Sequence, residues 1–268
     1  VSETRRSDVN STRHTIVFAT IVCVICAALV AVAAVTLKPA QQANALLYKE
    51  KNVLLAAGLI EPGDKIGTAE VEAIFKRSIR PRLIDLASGE LLPEDQHDAR
   101  RFDQRVARND PATSRTAPDN PAGIRRLPNH GVVYFITKDG AVDQIVIPIE
   151  GLGMWGTIYG FLSLDADGNT IRGLTYYDQR ETPGLGGEIA NPSWQALWRG
   201  RKAYDEQWNV GIQVIKGVAG PPDSDPMRVD GLSGSTITSK AITHLVQFWL
   251  GPQGYGPFIR NFREGLTL

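Results

Sequence analysis

"GVVYFITKDGAVDQIVIPIEG", residues 131–151, decides the fold. Two runs rich in β-branched and aromatic residues flank Lys138-Asp139-Gly140. An Asp-Gly pair between such runs is a hairpin signal, because both central positions of the favoured turn need positive φ. "TIYGFLSLDADGNTIRGLTYYDQ", residues 157–179, repeats the pattern around Asp167-Gly168-Asn169. Hairpins in series, with helical segments kept to their flanks, predict an α+β domain on an antiparallel sheet.

Toward the C-terminus, "SWQALWRGR" (193–201) predicts a helix and "NVGIQVIKG" (209–217) a strand. A further helix is expected over 237–250, where Ile242, Leu245, Val246 and Trp249 recur at helical spacing, and a last helical piece at 255–266. Toward the N-terminus, "RLIDLASGELL" (82–92) predicts two short strands about Ser88-Gly89. A helix begins near Thr68, an expected N-cap, and runs through Val71, Ile74 and Phe75. Residues 94–128 are charged and Pro-bearing with few side chains to bury, so a surface insertion or long loop, partly disordered, is expected there.

Residues 15–37, TIVFATIVCVICAALVAVAAVTL, carry no charge and are long enough to cross ~30 Å of hydrocarbon as a helix. A cleaved signal peptide is the rival, but its apolar core is usually only ~7–15 residues. Arg5, Arg6 and Arg13 precede the span, which predicts a cytoplasmic N-terminus over 1–14 and a periplasmic domain over 38–268. The apolar positions of 41–59, closed by Gly58 and Pro62, predict a helical stalk that continues from the span. Cys23 and Cys26 fall inside the span, three residues apart, as a thiol pair or as small packing residues. The formal net charge is zero, so nothing points to a nucleic-acid partner. Two cysteines and four histidines are thin material for a metal site or a Ser-His triad, and neither is expected.

Three short segments carry the chemistry. "DGLSGSTITS" (230–239) places Ser233, Ser235 and Thr236 at the start of the 237–250 helix. Unpaired backbone N–H groups and the helix dipole there favour a phosphate. An ordinary Ser/Thr cap fits the same residues. "EGLGMWGTIYG" (150–160) sets Met154 and Trp155 among Gly151, Gly153, Gly156 and Gly160. "RETPGLGGE" (180–188) sets Leu185 among Gly184, Gly186 and Gly187. Apolar side chains on glycine loops suit a flat ring, though a pair of plain turns has the same composition. The chain has no P-loop; Gly151-Leu152-Gly153-Met154-Trp155-Gly156 has the Gly-x-Gly-x-x-Gly spacing, but the strand-like TIYGFLSL follows it where a helix is required, so no nucleotide-binding βαβ unit is expected.

With the N-terminal span, "GLGMWGTIYG", "ETPGLGGEI" and "DGLSGSTITS" in that order, the chain from residue 13 on resembles the C subunit of the Na+-translocating NADH:quinone reductase, apart from 94–128. That family's motif runs Asp, two variable residues, Ser/Thr, Gly, a small residue, Thr, and its final Thr bears FMN through a phosphoester bond. The resemblance implies covalent FMN on Thr236, with Asp230, Ser233, Gly234, Ser235 and Thr238 around the attachment. It also implies an isoalloxazine ring against Leu152, Gly153, Trp155, Thr182, Pro183, Leu185 and Gly186. Ser235 stands where the family usually has Ala, which sets a second hydroxyl beside the target, and Gln179 stands where relatives commonly carry His.

The implied role is electron relay through FMN inside an inner-membrane NADH:ubiquinone reductase that pumps Na+. The other subunits are its partners, NADH is oxidised on another subunit, and a flavin transferase using FAD and Mg2+ makes the bond, with Asp230 helping it recognise the segment. No residue of this chain is expected to do proton chemistry. The G subunit of the Rnf ferredoxin:NAD+ complex shares the anchor and a similar Thr motif. A membrane-anchored flavin-domain sensor or scaffold and a serine hydrolase are further readings. The hydrolase lacks a Gly-x-Ser-x-Gly elbow.

Overall fold

The computed structural model describes residues 12–96 and 98–265. The chain divides into two compact units, residues 1–47 and 48–268. Helix α1 spans Thr12–Ala56. Its part in the first unit holds an apolar stretch of mean hydropathy 3.0, long and apolar enough to cross a membrane. Thr20 and Thr36 donate their hydroxyls back to the carbonyls of Ile16 (2.8 Å) and Val32 (2.9 Å). Each hydroxyl is thereby satisfied within its own helix, as a lipid-facing segment requires. Cys23 and Cys26 are free thiols on the exposed surface of this helix. Arg5 and Arg6, on which the expected orientation partly rests, lie outside the described residues.

In the second unit α1 ends in a Schellman arrangement. Leu59 N–H donates to the Leu54 carbonyl (2.9 Å), Gly58 N–H donates to that of Leu55 (3.0 Å), and Gly58 takes φ +67°. Helix α2 spans Thr68–Ser78, but its N-cap is Gly67, so Thr68 is the first helical residue and not the cap. Five strands build the core: β1 (Ile79–Asp85), β4 (His130–Lys138), β5 (Ala141–Leu152), β6 (Thr157–Asp165) and β7 (Ile171–Asp178). They form one sheet in the order β1-β4-β5-β6-β7, with every neighbouring pair antiparallel. Both expected hairpins form. Asp139 (φ 53°) and Gly140 (φ 83°) turn β4 into β5, and Gly168 (φ 67°) lies in the β6–β7 turn. The second strand expected in 82–92 shrinks to one bridge, Ile84 to Leu91.

Both sheet faces are covered, which explains the nearly unbroken apolar run in β4. On one face Val133, Phe135, Ile145, Ile147 and Leu162 join a core with helix α5 (Thr236–Leu250) and helix α6 (Gly256–Arg263). Trp249 is fully buried there, and its indole N–H donates to the Glu150 carbonyl at 2.7 Å. On the other face Tyr134 meets Phe75 and Phe161 edge-on, with Val53 and Leu54 also buried.

The stretch 94–128 is more tightly built in than its composition suggests. It holds helix α3 (Gln104–Asn109), capped by the Asp103 carboxylate, and a ribbon of β2 (Ser114–Thr116) with β3 (Arg126–Pro128). Ala122 and Leu127 are fully buried, and the Ala122 carbonyl accepts from Leu152 N–H at 2.8 Å. Its arginines do the covering. Arg105 lies 3.3 Å above the Tyr159 ring and pairs with Asp178 at 2.8 Å, and Arg108 pairs with Glu150. Long guanidinium side chains shield apolar and aromatic surface while keeping their charge paired, so polarity alone misjudged this segment.

Two other expected elements are shorter than read. Helix α4 is only Pro192–Ala196, and the strand expected over 209–217 is β8 (Gln213–Val214), paired in parallel with β9 (Arg228–Val229).

Candidate functional site

The three motif segments meet at the far end of β5. The β5–β6 turn, Gly153 to Gly156, closes with Gly153 N–H donating to the Gly156 carbonyl at 2.8 Å. The 180–188 segment leaves β7 and folds back on itself. Leu185 and Gly187 N–H both donate to the Thr182 carbonyl (3.1 and 2.9 Å), with Gly184 at φ +74°. The hydroxyl segment turns at Gly234 (φ +70°) and enters α5 at Thr236. A Cβ on Gly234 would stand 3.1 Å from Leu185 Cδ2, so the second and third segments touch.

One carboxylate holds all three together. Glu181 is 4% exposed. Its Oε1 accepts from Trp155 N–H (3.0 Å) and its Oε2 accepts from the Thr238 hydroxyl (2.5 Å). Thr238 in turn accepts from the Ser235 hydroxyl at 2.9 Å. Two glycines make room: a Cβ on Gly153 would lie 2.6 Å from Glu181 Oε1, and one on Gly186 would lie 2.9 Å from Oε2. Gln179 accepts from Glu181 N–H with its side-chain oxygen (2.5 Å). It thus fixes the backbone that carries the carboxylate.

The outer surface is the reverse of this polar interior. Among the described residues after 47, the exposed large apolar side chains are Tyr48, Val106, Val218, Leu152, Met154, Trp155, Leu185 and Ile237. The last five all belong to the three motif segments. Trp155 is 61% exposed. Such a cluster has an energetic cost in water, and its place on glycine loops makes it the candidate binding surface. Beside it, a cleft of about 370 Å³ runs between Leu152 and Thr157 on one side and Gly123, Arg125 and Arg108 on the other.

The hydroxyls divide sharply. Thr236 and Ser233 are exposed, and the Thr236 hydroxyl makes no hydrogen bond among the described residues. Ser235 is the N-cap residue of α5 but does not cap it; it is buried and bonded to Thr238. Thr238, expected among the cofactor contacts, is 1% exposed and lies beneath the turn, because its hydroxyl is drawn inward to Glu181. Gly186 is buried beside it, while Thr182, Pro183 and Leu185 remain exposed on the loop. The Asp230 carboxylate accepts from Ala219 N–H (3.0 Å) and its carbonyl accepts from the Trp194 indole N–H (3.0 Å), so it braces the approach to the turn. Residue-level reading flagged Met154 on its glycine loop but missed Glu181 and Ile237 as site residues. Ile237 was detectable, since it falls out of phase with the buried stripe of α5.

The FMN-binding domain family matches residues 153–251, from the first glycine of the β5–β6 turn to the end of α5. The chain is 43% identical to the C subunit of the Na(+)-translocating NADH-quinone reductase of Yersinia pestis, over 96% of this chain and 95% of the relative. The corresponding protein of Pseudomonas aeruginosa is 42% identical over 95% of this chain and 97% of its own length. The chain belongs to this C-subunit family. The crystal structure of Shewanella oneidensis NqrC superposes with TM-score 0.74 at 31% identity, covering 84% of this chain and all of the other. The C-subunit structure from Parabacteroides distasonis gives TM-score 0.63 at 28% identity over 83% of this chain and 96% of its own. The C subunit is a component of an enzyme complex, and both the antiparallel sheet with flanking helices and the apolar N-terminal helix of this chain accord with that membership.

Proposed function

We propose that this chain is the flavin-bearing electron-transfer subunit of a membrane Na+-translocating NADH:quinone reductase, with FMN esterified through its phosphate to Thr236. The observation that carries the reading is the contrast between neighbouring hydroxyls: Thr236 is exposed and unengaged, while Ser235 is buried and bonded. The second hydroxyl of the motif therefore does not compete for the attachment. The start of α5 has no side-chain cap, so its N–H groups and dipole remain for a phosphoryl group.

Leu152, Trp155 and Leu185 supply an apolar seat whose exposure is otherwise costly. Pro183 and Gly184 shape the loop that presents Leu185. When bound, the flavin supplies the electron chemistry, and the chain supplies placement and exclusion of water. Asp230 keeps its bracing role and also serves the flavin transferase that makes the ester. A covalent tether prevents loss of the group on the periplasmic side, where residues 38–268 are placed in this reading, with 15–37 crossing the membrane and 1–14 cytoplasmic. NADH is oxidised on another subunit. The G subunit of the Rnf complex is the weaker reading, since the Yersinia and Pseudomonas relatives are C subunits of the Na+-translocating enzyme.

Intact-mass analysis and peptide mapping of the chain from membranes that contain the transferase test the attachment. The expected result is one FMN on the peptide spanning 230–239, absent in Thr236→Ala. An unmodified peptide from wild-type membranes refutes it. Bleaching of the flavin absorbance when NADH is added to the assembled complex tests electron transfer; a sensor or scaffold gives none.

A further inference from the structure

Glu181 is a buried carboxylate with no cationic partner among the described residues. Burying a charge without a counter-ion is costly, and such a group is kept where its hydrogen bonds do something specific. Both of its oxygens are acceptors for groups from different segments: Trp155 N–H at 3.0 Å and the Thr238 hydroxyl at 2.5 Å. A third tie, Glu181 N–H to the Gln179 side chain, fixes its own loop. The glycines at 153 and 186 leave no room for a Cβ beside it. The carboxylate is therefore bonded directly to the backbone that carries the Trp155 side chain, and is linked to the turn before Thr236 through Thr238 and Ser235.

We propose that Glu181 is a positioning residue with two effects. Its hydrogen bonds clasp the glycine turn to the hydroxyl turn, so that Thr236 and the apolar seat stand in one fixed relation. Its negative charge beneath that seat opposes the addition of electrons to whatever ring the seat holds. The proposal rests on the flavin reading above and deepens it. In the clasp, Ser235 is the outermost link of a hydroxyl chain that ends on Glu181. A hydroxyl at this position thus adds a bond to the clasp.

Three substitutions in the full-length chain, produced in membranes with the transferase, separate the two effects. Glu181→Gln keeps an acceptor for Trp155 N–H and an amide that reaches Thr238, but removes the charge. It should retain wild-type flavinylation and shift the flavin midpoint to a more positive potential. Glu181→Ala removes the clasp, and Thr238→Val breaks it from the other side with little change of shape. Both should lower the flavinylated fraction severalfold and speed hydrogen exchange at the Trp155 amide. Should Glu181→Ala fail to accumulate, Thr238→Val carries this arm.

An unchanged midpoint in Glu181→Gln overturns the charge effect. Wild-type flavinylation together with wild-type Trp155 exchange in Thr238→Val overturns the clasp. If the wild-type chain itself carries no flavin on Thr236, the attachment reading fails alone, and the exchange of the Trp155 amide still decides for or against the clasp.

Discussion

Strand β5 ends in two turns of opposite character. At one end Asp139 and Gly140 make a polar turn, with both residues at positive φ and nothing packed against Gly140. At the other, Gly153-Met154-Trp155-Gly156 exposes two large apolar side chains and hydrogen-bonds its backbone to a buried carboxylate. The first turn obeys the rule that loops are polar and local in their bonding. The second breaks it twice: it gives up burial and gains a long-range tie, the pattern that the proposed flavin seat accounts for. The same strand therefore carries a folding signal at one end and, in the proposed reading, a functional one at the other.

The sharpest way to break this contrast is at the attachment point. Thr236→Ala should abolish the fluorescent flavin band on a denaturing gel, whereas Ser235→Ala should keep most of it; the reverse pattern would move the attachment to Ser235. Next in size, Gly153→Ala should cost ~1–3 kcal/mol of stability, because a Cβ there meets Glu181 Oε1 and Ile158 and the core must shift. Urea denaturation reads that cost, and a smaller flavinylated fraction should accompany it.

At the polar end, replacing Asp139 and Gly140 by Ala-Ala should cost about 1–2 kcal/mol for each residue forced to positive φ. Flavinylation should stay at the wild-type level. A flavin defect in that variant would erase the distinction between the turns. Trp155→Ala should change the unmodified chain's stability by less than ~0.5 kcal/mol, since the side chain is exposed, yet alter the absorbance and fluorescence of the bound flavin. A large loss of stability would mean that Trp155 belongs to the core.

The smallest effect concerns the β6–β7 turn. Partial burial pushes the Asp167 carboxyl up, but hydrogen bonds from the Thr170 hydroxyl and N–H and from Asn169 N–H outweigh it, and the net direction is downward. A carboxyl lowered in the folded state stabilises above its ordinary value, and that contribution fades as pH falls through the lowered one. Acid unfolding of Asp167→Asn should therefore show a slightly shallower loss of stability below the ordinary carboxylate range than wild type.

Much of the fold is written in local pattern. The Asp-Gly turn, the β-branched runs and the helix expected over 237–250, which forms as Thr236–Leu250, are short-range signals. Segments whose structure depends on a distant partner were less legible. Arg105 and Arg108 turn a polar stretch into a cover for Tyr159 and Glu150, and no local pattern announces that. The strand over 209–217 shrinks because its partner β9 is two residues long.

By itself, then, the sequence determined the hairpins, the apolar N-terminal helix and the three glycine and hydroxyl segments, because turn geometry, helix length and lipid solubility are properties of adjacent residues. Only the tertiary structure decided that Thr236 and Ser233 are the exposed hydroxyls of the motif while Ser235 and Thr238 are engaged. Thr236, Ser235 and Thr238 differ little in chemistry, but Glu181, brought in from a distant loop, bonds Thr238 and through it Ser235. Hydrogen-bonding capacity is finite, and it goes to whichever group the fold brings near; Thr236 is left exposed because no such group reaches it among the described residues.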